Sequence, residues 1–299
     1  MESAVRFVDS GDVNLWTEAF GHRSDTPLLL IMGAMNQGIA WPRPFCEQLA
    51  ACGHFVIRYD HRDTGLSSVV DISKHPYTLA EMADDAWRIL DAYEAHDAIV
   101  VGMSMGGYIA QLLAAERPGR VTRLVLLSTS ADHRPYMAAT AGCPLGDALL
   151  PPPAPRYLSY LTHAASQPVL TSADEMELRV EGWRATHGGS LPFPQPEVRE
   201  MLEQSAARAR DALSPFHHAS AVAASPDRIA LVRRIVAPTL VIHGEDDPCL
   251  PFEHGQFLAE AIPRAQLLAL DMGHMLHPAH IPAMVHAIVA LNQNDRTCC

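Results

Sequence analysis

Short apolar runs that alternate with helical patterns constrain the fold of this chain more than any other feature. Six runs have the length of a β-strand and occupy residues 28–32, 55–59, 98–101, 124–127, 240–242 and 267–270. None of them alternates apolar with polar residues. Such runs predict strands that are buried on both faces of a parallel sheet.

Helical patterns lie between these runs. Thr78 and Glu81 have the spacing of a capping box and predict a helix that runs to about Tyr93. Further helices are expected over 105–116, 252–261 and 281–291. Strand, helix and strand in this order predict an α/β fold, with a mostly parallel central sheet covered by helices on both faces. Ahead of it, residues 5–8 and 13–20 predict an antiparallel hairpin.

The alternation stops between residues 131 and 233. This segment has a proline-rich run at 151–155 and helical stretches over 172–187 and 196–210. We therefore expect three parts: a first part of the core over 1–130, an inserted helical cap over 131–233, and a second part of the core over 234–299.

A candidate nucleophile follows the run at 98–101. Gly102, Ser104 and Gly106 form a G-x-S-x-G pattern between a strand and a helix, the setting that a strained nucleophile turn requires. A serine hydroxyl needs a base that a carboxylate orients. In this fold order the acid and the base follow the last two strands, so His274 is the expected base.

The acid comes from the loop after residues 240–242, where Glu245, Asp246 and Asp247 are adjacent. We favour Asp247 because it precedes Pro248, whose ring restrains the preceding backbone to extended geometry. Asp246 is the alternative.

Backbone N–H groups should stabilise the oxyanion, and we expect them at Met105, after the nucleophile, and at Ala34, in the loop after the first parallel strand. Residues that flank this site are the candidates for substrate binding: Gly33, Met35, Trp41, Met103 and Trp183.

Other features have structural interpretations. In the motif over 60–67, the Arg and Asp side chains are expected to form an internal pair that braces the site floor. His217 and His218 are interpreted as a surface or pocket-lining pair. His274, His277 and His280 lie three apart, but nearby prolines and the lack of a carboxylate at ligand spacing argue against a metal. We expect neither a metal nor a cofactor.

Charge and cysteine content exclude several classes of partner. With 22 basic and 34 acidic residues the net charge is −12, without a basic cluster, so nucleic acid is not an expected partner. No apolar run approaches the length of a membrane span. The six cysteines, including Cys298 and Cys299, show no disulfide or metal spacing and predict free thiols. Without a visible secretory signal, a cytoplasmic protein is expected.

With these residues in place, the chain resembles an α/β-hydrolase with a helical cap, and within that superfamily the aclacinomycin methylesterase-like serine esterases. The resemblance is carried by Ser10-Gly11-Asp12-Val13-x-Leu15-Trp16, by Ile57 to Ser67 with its Asp63-Thr64-Gly65, and by Val101 to Gly106. It implies hydrolysis of carboxylic esters without a cofactor, with Ser104, His274 and Asp247 as the triad and Ala34 and Met105 as oxyanion donors.

The expected activity is thus cleavage of a small-molecule ester through an acyl-enzyme on Ser104, with a methyl or other small-alcohol ester of a bulky apolar acid as the suggested substrate. The same triad acting on a lactone, an amide or a C–C bond, or in cofactor-free perhydrolysis, is the alternative. A binding protein that had lost catalysis would have a broken triad, and the pattern here is complete.

Overall fold

One eight-stranded sheet dominates the computed structural model, which describes residues 3–168 and 171–291. Its strands are β1 (Ser3–Ser10), β2 (Val13–Phe20), β3 (Thr26–Ile31), β4 (His54–Tyr59), β5 (Ala98–Met103), β6 (Val121–Leu127), β7 (Thr239–Gly244) and β8 (Ala265–Leu270). The order across the sheet is β1-β2-β4-β3-β5-β6-β7-β8. The hairpin of β1 and β2 pairs antiparallel with β4, and all later neighbours are parallel.

Helices cover both faces of the sheet. Those outside the inserted segment are α1 (Arg43–Ala51), α2 (Leu79–Ala92), α3 (Met105–Glu116), α10 (Glu253–Ala261) and α11 (Ile281–Leu291). One core cluster combines the sheet with apolar residues of α2, α3 and α10, and the other combines it with α1 and α11. The predicted α/β fold with a mostly parallel sheet is therefore confirmed.

The capping box at the start of α2 forms as the sequence predicted. The Thr78 hydroxyl accepts the N–H of Ala80 at 3.1 Å, and the Glu81 carboxylate accepts the N–H of Thr78 at 2.7 Å. These bonds satisfy N–H groups that a helix start would otherwise leave unpaired.

Between β6 and β7 the described residues form helices and no strand. These helices are α4 (Arg134–Thr140), α5 (Pro155–Ser166), α6 (Ser172–Thr186), α7 (Gln195–Arg208), α8 (His217–Ala223) and α9 (Ile229–Val232). Val180 of α6 and Val198 and Leu202 of α7 form a small cluster with Met275 of the core. Ala221 and Val232, from α8 and α9, belong to the main core cluster.

Strand β8 differs from the prediction that every run is buried on both faces. It lies at the edge of the sheet, and none of its residues is fully buried, with Leu267 38% exposed. An edge strand has a neighbour on one side only, so part of its apolar surface stays in contact with solvent.

The structure also bears on the predictions about membrane spans and cysteines. Among the described residues no helix has the length and apolar character needed to cross a membrane. Cys46, Cys52, Cys143 and Cys249 are free thiols. The predicted free thiols at Cys298 and Cys299 lie outside the described residues.

Candidate active site

Ser104 lies in the tight turn between β5 and α3. Its φ of 54° is in the left-handed region, where a residue with a side chain is strained by about 1–3 kcal/mol unless its surroundings hold it. Here the Ser104 N–H donates to the carbonyl of Leu127 at 3.0 Å, and the Thr129 hydroxyl donates to the Ser104 carbonyl at 2.7 Å. The turn is therefore fixed on both sides of the serine by the end of β6 and the residues that follow it.

Glycine is required on both sides of this turn. A Cβ at Gly102 would lie far inside van der Waals contact with the carbonyl of Gly106, and a Cβ at Gly106 would do the same to the carbonyl of Ile31. Both obstacles are backbone atoms, which cannot move aside as a flexible side chain can. The spacing of the two glycines thus follows from the close approach of β3, β5 and α3.

His274 reaches the serine from the loop after β8. Its Nε2 lies 3.0 Å from Oγ of Ser104. Its backbone N–H donates to the carbonyl of Thr186, at the end of α6, at 2.8 Å. A Cβ at Gly273 would collide with the same carbonyl, so the residue before the histidine must be small. The inserted segment therefore helps to hold the histidine loop.

Asp247, in the loop after β7, completes the hydrogen-bonded chain. Its Oδ2 lies 2.8 Å from Nδ1 of His274, and its Oδ1 accepts the N–H groups of Cys249 and Leu250 at 2.8 and 2.9 Å. Burial alone would raise the pKa of this carboxyl, but His274, His243 and the hydrogen bonds hold the pKa below its usual value. The ionised carboxylate can only accept, so Nδ1 carries the proton and Nε2 can accept the proton of Ser104.

The two other acids of this loop are placed differently. Glu245 and Asp246 are exposed. Asp246 forms an ion pair with Arg156 of α5 at 2.9 Å and accepts the N–H of Gly189 at 3.2 Å. Of the three candidates for the acid, the structure brings Asp247 alone to His274.

The loop after β3 lies beside the serine. A Cβ at Gly33 would be 3.2 Å from Cβ of Ser104 and 3.8 Å from its Oγ. In the described residues neither the N–H of Ala34 nor that of Met105 has a hydrogen-bond partner. Met105 is the first residue of α3, where N–H groups have no acceptor within the helix. Both N–H groups are thus free to bind an oxygen of a reacting molecule.

The other predicted pocket residues are spread out. Met103 is buried at the end of β5, and Met35 is 43% exposed in the loop after β3. Trp183 of α6 is half-buried and packs against the cluster that contains Met275, the residue that follows His274 in the chain. Trp41 is fully buried, stacks on Phe45 and belongs to the same core cluster as Met103.

Two buried histidines that the sequence analysis did not assign to the site hold the same loop. Nε2 of His61 lies 2.9 Å from the carbonyl of Met32, and Nδ1 of His218 accepts the N–H of Met35 at 3.0 Å. His218 is completely buried, so its interpretation as a surface residue is wrong, while the pocket-lining alternative stays a prediction. The adjacent His217 is partly exposed. The apolar residues that surround His218 in the sequence of α8 were the signal that could have predicted its burial.

The pairs in the motif over 60–67 also differ from the prediction of an internal pair. Arg62 binds Asp85 of α2 through two bonds of 2.7 and 2.8 Å, and Asp60 binds Arg208 of α7 at 2.9 Å. Asp63 accepts the hydroxyl of Tyr77 at 2.6 Å. The motif therefore links the core to α2 and to the inserted segment.

The residues with metal-ligand chemistry fit a proton relay better than a metal centre. In the described part of the chain, Asp247, Cys249 and His274 have ligand atoms within 4.8 Å of one another. The Asp247 and His274 atoms bond to each other, and burial raises the pKa of the Cys249 thiol well above its usual value. A neutral thiol is a weak metal ligand. His277 and His280 bond instead to the carbonyls of Pro192 and Asp271.

Comparisons with known proteins agree with this fold. A family model, Hydrolase_4, described as serine aminopeptidase, S33, matches residues 23–280. Rhodomycin D methylesterase DauP from a Streptomyces species is 40% identical over 96% of this chain and 95% of its own length. The methylesterase DnrP of Streptomyces peucetius is 39% identical with the same coverage. A hydrolase structure from Pseudomonas aeruginosa has a TM-score of 0.72 at 25% identity, and covers 96% of this chain and 98% of its own.

These relatives confirm the resemblance to methylesterases of the α/β-hydrolase superfamily and the predicted hydrolysis of carboxylic esters. They do not favour the alternatives of lactone, amide or C–C cleavage or perhydrolysis. The match covers far more than half of the chain. The chain is therefore a member of the Hydrolase_4 family of α/β-hydrolases.

Proposed function

We propose that this ester hydrolase works through an acyl-enzyme on Ser104, with His274 as the base and Asp247 as the acid that orients it. One observation carries the proposal: the hydrogen-bonded chain from Ser104 Oγ to His274 Nε2 at 3.0 Å and from His274 Nδ1 to Asp247 at 2.8 Å. A serine, a base and a buried carboxylate in this arrangement supply what nucleophilic attack at neutral pH requires.

In the first half of the reaction, Ser104 Oγ forms a bond to the ester carbonyl carbon while its proton moves to Nε2 of His274. The positive imidazole then faces the Asp247 carboxylate, which stabilises it. When the tetrahedral intermediate collapses, the C–O bond to the alcohol breaks and His274 gives its proton to the leaving oxygen. The products are the free alcohol and an acyl group on Ser104.

The oxygen of the intermediate gains negative charge and needs donors that are already in place. The N–H groups of Ala34 and Met105 are the proposed donors, since both lack partners in the described structure. The N-terminus of α3 adds a partial positive charge at the same place. Loss of one such donor typically slows an acyl-transfer enzyme by about a hundredfold or more.

In the second half, a water molecule attacks the acyl group while His274 takes its proton. The bond to Ser104 Oγ breaks, and the proton returns to that oxygen, which releases the carboxylic acid. Every proton transfer uses side chains of this chain, so the proposed mechanism requires no metal or cofactor.

A methyl ester of a bulky apolar acid is the proposed substrate class. The two relatives at 40% and 39% identity are both named rhodomycin D methylesterases. Gly33, Met35, Met103 and Trp183 are the proposed binding residues, since they lie in or near the elements that carry Ser104 and His274. Apolar side chains with a few polar groups are typical of pockets for such ligands.

We assign residues 131–233 as a cap that sits over this pocket. The contact of Thr186 with the His274 backbone and the cluster of Val180, Val198 and Met275 support this assignment.

We also propose that the protein is cytoplasmic, because the four described cysteines are free thiols, as is typical of a reducing compartment.

The test is hydrolysis of a graded panel of methyl and p-nitrophenyl esters, from acetate to bulky apolar acids, by the wild type and by Ser104→Ala. We expect turnover by the wild type, release of methanol from methyl esters, and loss of at least about a thousandfold in the variant. A fluorophosphonate probe should label the wild type and not Ser104→Ala.

Retained turnover in Ser104→Ala would contradict the acyl-enzyme mechanism. Labelling of Ser104 without hydrolysis of any ester would show a competent nucleophile that acts on another bond. If neither labelling nor hydrolysis occurs, the function as a serine hydrolase is wrong.

A further inference from the structure

The loop after β3 makes a turn whose middle peptide is held at both ends. The N–H of Asn36 donates to the carbonyl of Gly33 at 3.4 Å, and Met35, the third residue of this turn, has a φ of 64°. A positive φ at this position is typical of a type II turn, in which the central peptide is rotated relative to a type I turn. Type II turns prefer glycine there, so Met35 needs additional contacts to hold this conformation.

Those contacts come from His218 and Asn36. The N–H of the Ala34–Met35 peptide donates to Nδ1 of His218 at 3.0 Å, and its carbonyl accepts the side-chain amide of Asn36 at 2.9 Å. A rotation of this peptide would break both bonds. The Ala34 N–H belongs to the preceding peptide, Gly33–Ala34, and the two peptides share the Cα of Ala34. By holding the second peptide, the two bonds therefore fix the position of this Cα.

The protonation of His218 is fixed by its two partners. Nδ1 accepts from Met35, so the ring proton is on Nε2, which donates to the carbonyl of Arg62 at 2.9 Å. Complete burial, with His61 beside it, lowers the pKa of His218 to about 3. The ring is therefore neutral under working conditions, and Nδ1 is always available as an acceptor.

We propose that His218 is a positioning residue for the oxyanion site: by accepting the Met35 N–H it holds the Ala34–Met35 peptide in place, and so fixes the Cα of Ala34, next to the N–H that binds the carbonyl oxygen at Ser104. This inference rests on the proposed function. It gives α8, a helix of the inserted segment, a direct part in the geometry of the reaction.

His61 and Asp60 act on the same loop at its two ends. His61 bonds the carbonyl of Met32, before the turn, and Asp60 accepts the N–H of Gly38, after it, at 2.7 Å. The centre of the turn has no such anchor from the 60–67 motif itself. Its outside anchor is the side chain of His218, which reaches it from a position 183 residues later in the chain.

Two conservative variants separate the two bonds of His218. In His218→Asn the amide oxygen takes the place of Nδ1 and keeps the acceptor for Met35. In His218→Gln the amide nitrogen takes the place of Nε2 and keeps the donor to Arg62, but the acceptor is lost. The partly exposed neighbour His217 supplies the control variant His217→Gln.

The measurements are kcat and KM for the best ester of the panel, and the inhibition constant of a trifluoromethyl ketone, which forms an oxyanion adduct with an active-site serine. We expect His218→Gln to lower kcat by about 10- to 100-fold with KM within about threefold, since the effect is on transition-state binding. The ketone should bind more weakly by a similar factor. His218→Asn should keep kcat within about fivefold of the wild type, and His217→Gln within about twofold.

Equal kcat values for the Asn and Gln variants, at comparable thermal stability, would overturn the proposal, because the Nδ1 acceptor would then have no separate effect. It would also be overturned if His218→Gln changed KM alone, or if ketone binding did not follow kcat. Failure of the proposed function looks different, because the wild type would then lack Ser104-dependent turnover before any His218 variant is made.

Discussion

The carboxylate of Asp247 binds the imidazole of His274 through one oxygen and two backbone N–H groups through the other. The distances are 2.8 Å to His274 Nδ1, and 2.8 and 2.9 Å to the N–H groups of Cys249 and Leu250. The position of this carboxylate is thus set by the loop itself, and its charge is held near a ring that is 13% exposed. Position and charge can therefore be separated by mutation.

Asp247→Asn should keep the fold and lose most of the activity. The amide removes the negative charge that stabilises the imidazolium, and if its nitrogen faces the ring it favours the wrong tautomer of His274. We expect kcat to fall by about a thousandfold or more, with a small change in KM. Steady-state kinetics on the best ester, with circular dichroism as a check on folding, measures this effect.

Asp246→Asn is the matched control, since it makes the same chemical change one residue earlier. Asp246 is exposed and pairs with Arg156, so kcat should stay within about threefold of the wild type. A larger loss in the Asp246 variant than in the Asp247 variant would reverse the assignment of the acid.

The residues of the proposed triad could be located from the sequence because each follows a short apolar run. Ser104, Asp247 and His274 come after β5, β7 and β8, and the carboxyl ends of parallel strands meet at one edge of a sheet. The sequence of strands and loops along the chain was therefore enough to predict that these three residues lie close together. The choice of Asp247 over Asp246 rested on its position three residues after Gly244 and directly before Pro248.

The remaining parts of the site depend on contacts that no local pattern encodes. The Met35–His218 bond joins residues 183 positions apart, and the Arg62–Asp85 bond joins two separate elements. Trp41 follows the same loop in sequence but turns into the core beside Phe45. Proximity in sequence was the reason for placing Trp41 in the pocket, and its stacking on Phe45 of α1 is a core contact that the sequence pattern did not predict.

His61 should make stability depend on pH. Burial is the largest cause that lowers the pKa of His61, to about 4 in the folded state, against 6.5 for an exposed histidine. Between these values the unfolded chain binds the proton and the folded chain does not, so stability falls as pH falls from 6.5 towards 4. From pH 7.5 to pH 5 the loss due to His61 is about 2 kcal/mol.

The measurement is urea unfolding of the wild type and His61→Gln at several pH values between 5 and 7.5. The glutamine amide can still donate to the carbonyl of Met32, but it does not titrate. Buried histidines that are not coupled to His61 contribute equally to both proteins. His218 lies beside His61, which is one cause of its lowered pKa, so the difference reports His61 together with its coupling to His218. The stability of the variant relative to the wild type should rise as pH falls, and parallel curves would contradict the prediction.

Gly106→Ala should destabilise the fold strongly. Its Cβ would meet the backbone carbonyls of Ile31 and Met32, so β3 and α3 would have to separate. We expect a loss of about 3 kcal/mol or more in the free energy of unfolding, or insoluble protein.

Gly119→Ala is the comparison variant for this effect. Gly119 has a φ of 96° and open space around its Cβ position, so the substitution adds strain without a collision. Its cost should be about 1 kcal/mol, as measured by urea unfolding. Similar losses in the two variants would show that the close approach at Gly106 is relieved by small shifts.

The two tryptophans predicted for the pocket should respond differently to truncation. Trp183 is half-buried beside the cluster that contains Met275, so Trp183→Ala should lower kcat/KM for bulky apolar esters by about tenfold and leave acetate esters within about twofold. Trp41 is fully buried, so Trp41→Ala should lower the free energy of unfolding by about 3–5 kcal/mol.

The ratio of kcat/KM for a bulky ester to that for an acetate ester distinguishes the two roles, because a loss of folded enzyme changes both values by the same factor. Trp183→Ala should change this ratio, while Trp41→Ala should leave it constant as the melting temperature falls. A changed ratio in the Trp41 variant would mean that the core around Phe45 sets the shape of the pocket. An unchanged ratio in the Trp183 variant would contradict the proposal that α6 contributes to the substrate site. The role of α6 would then be structural, through the contact of Thr186 with His274.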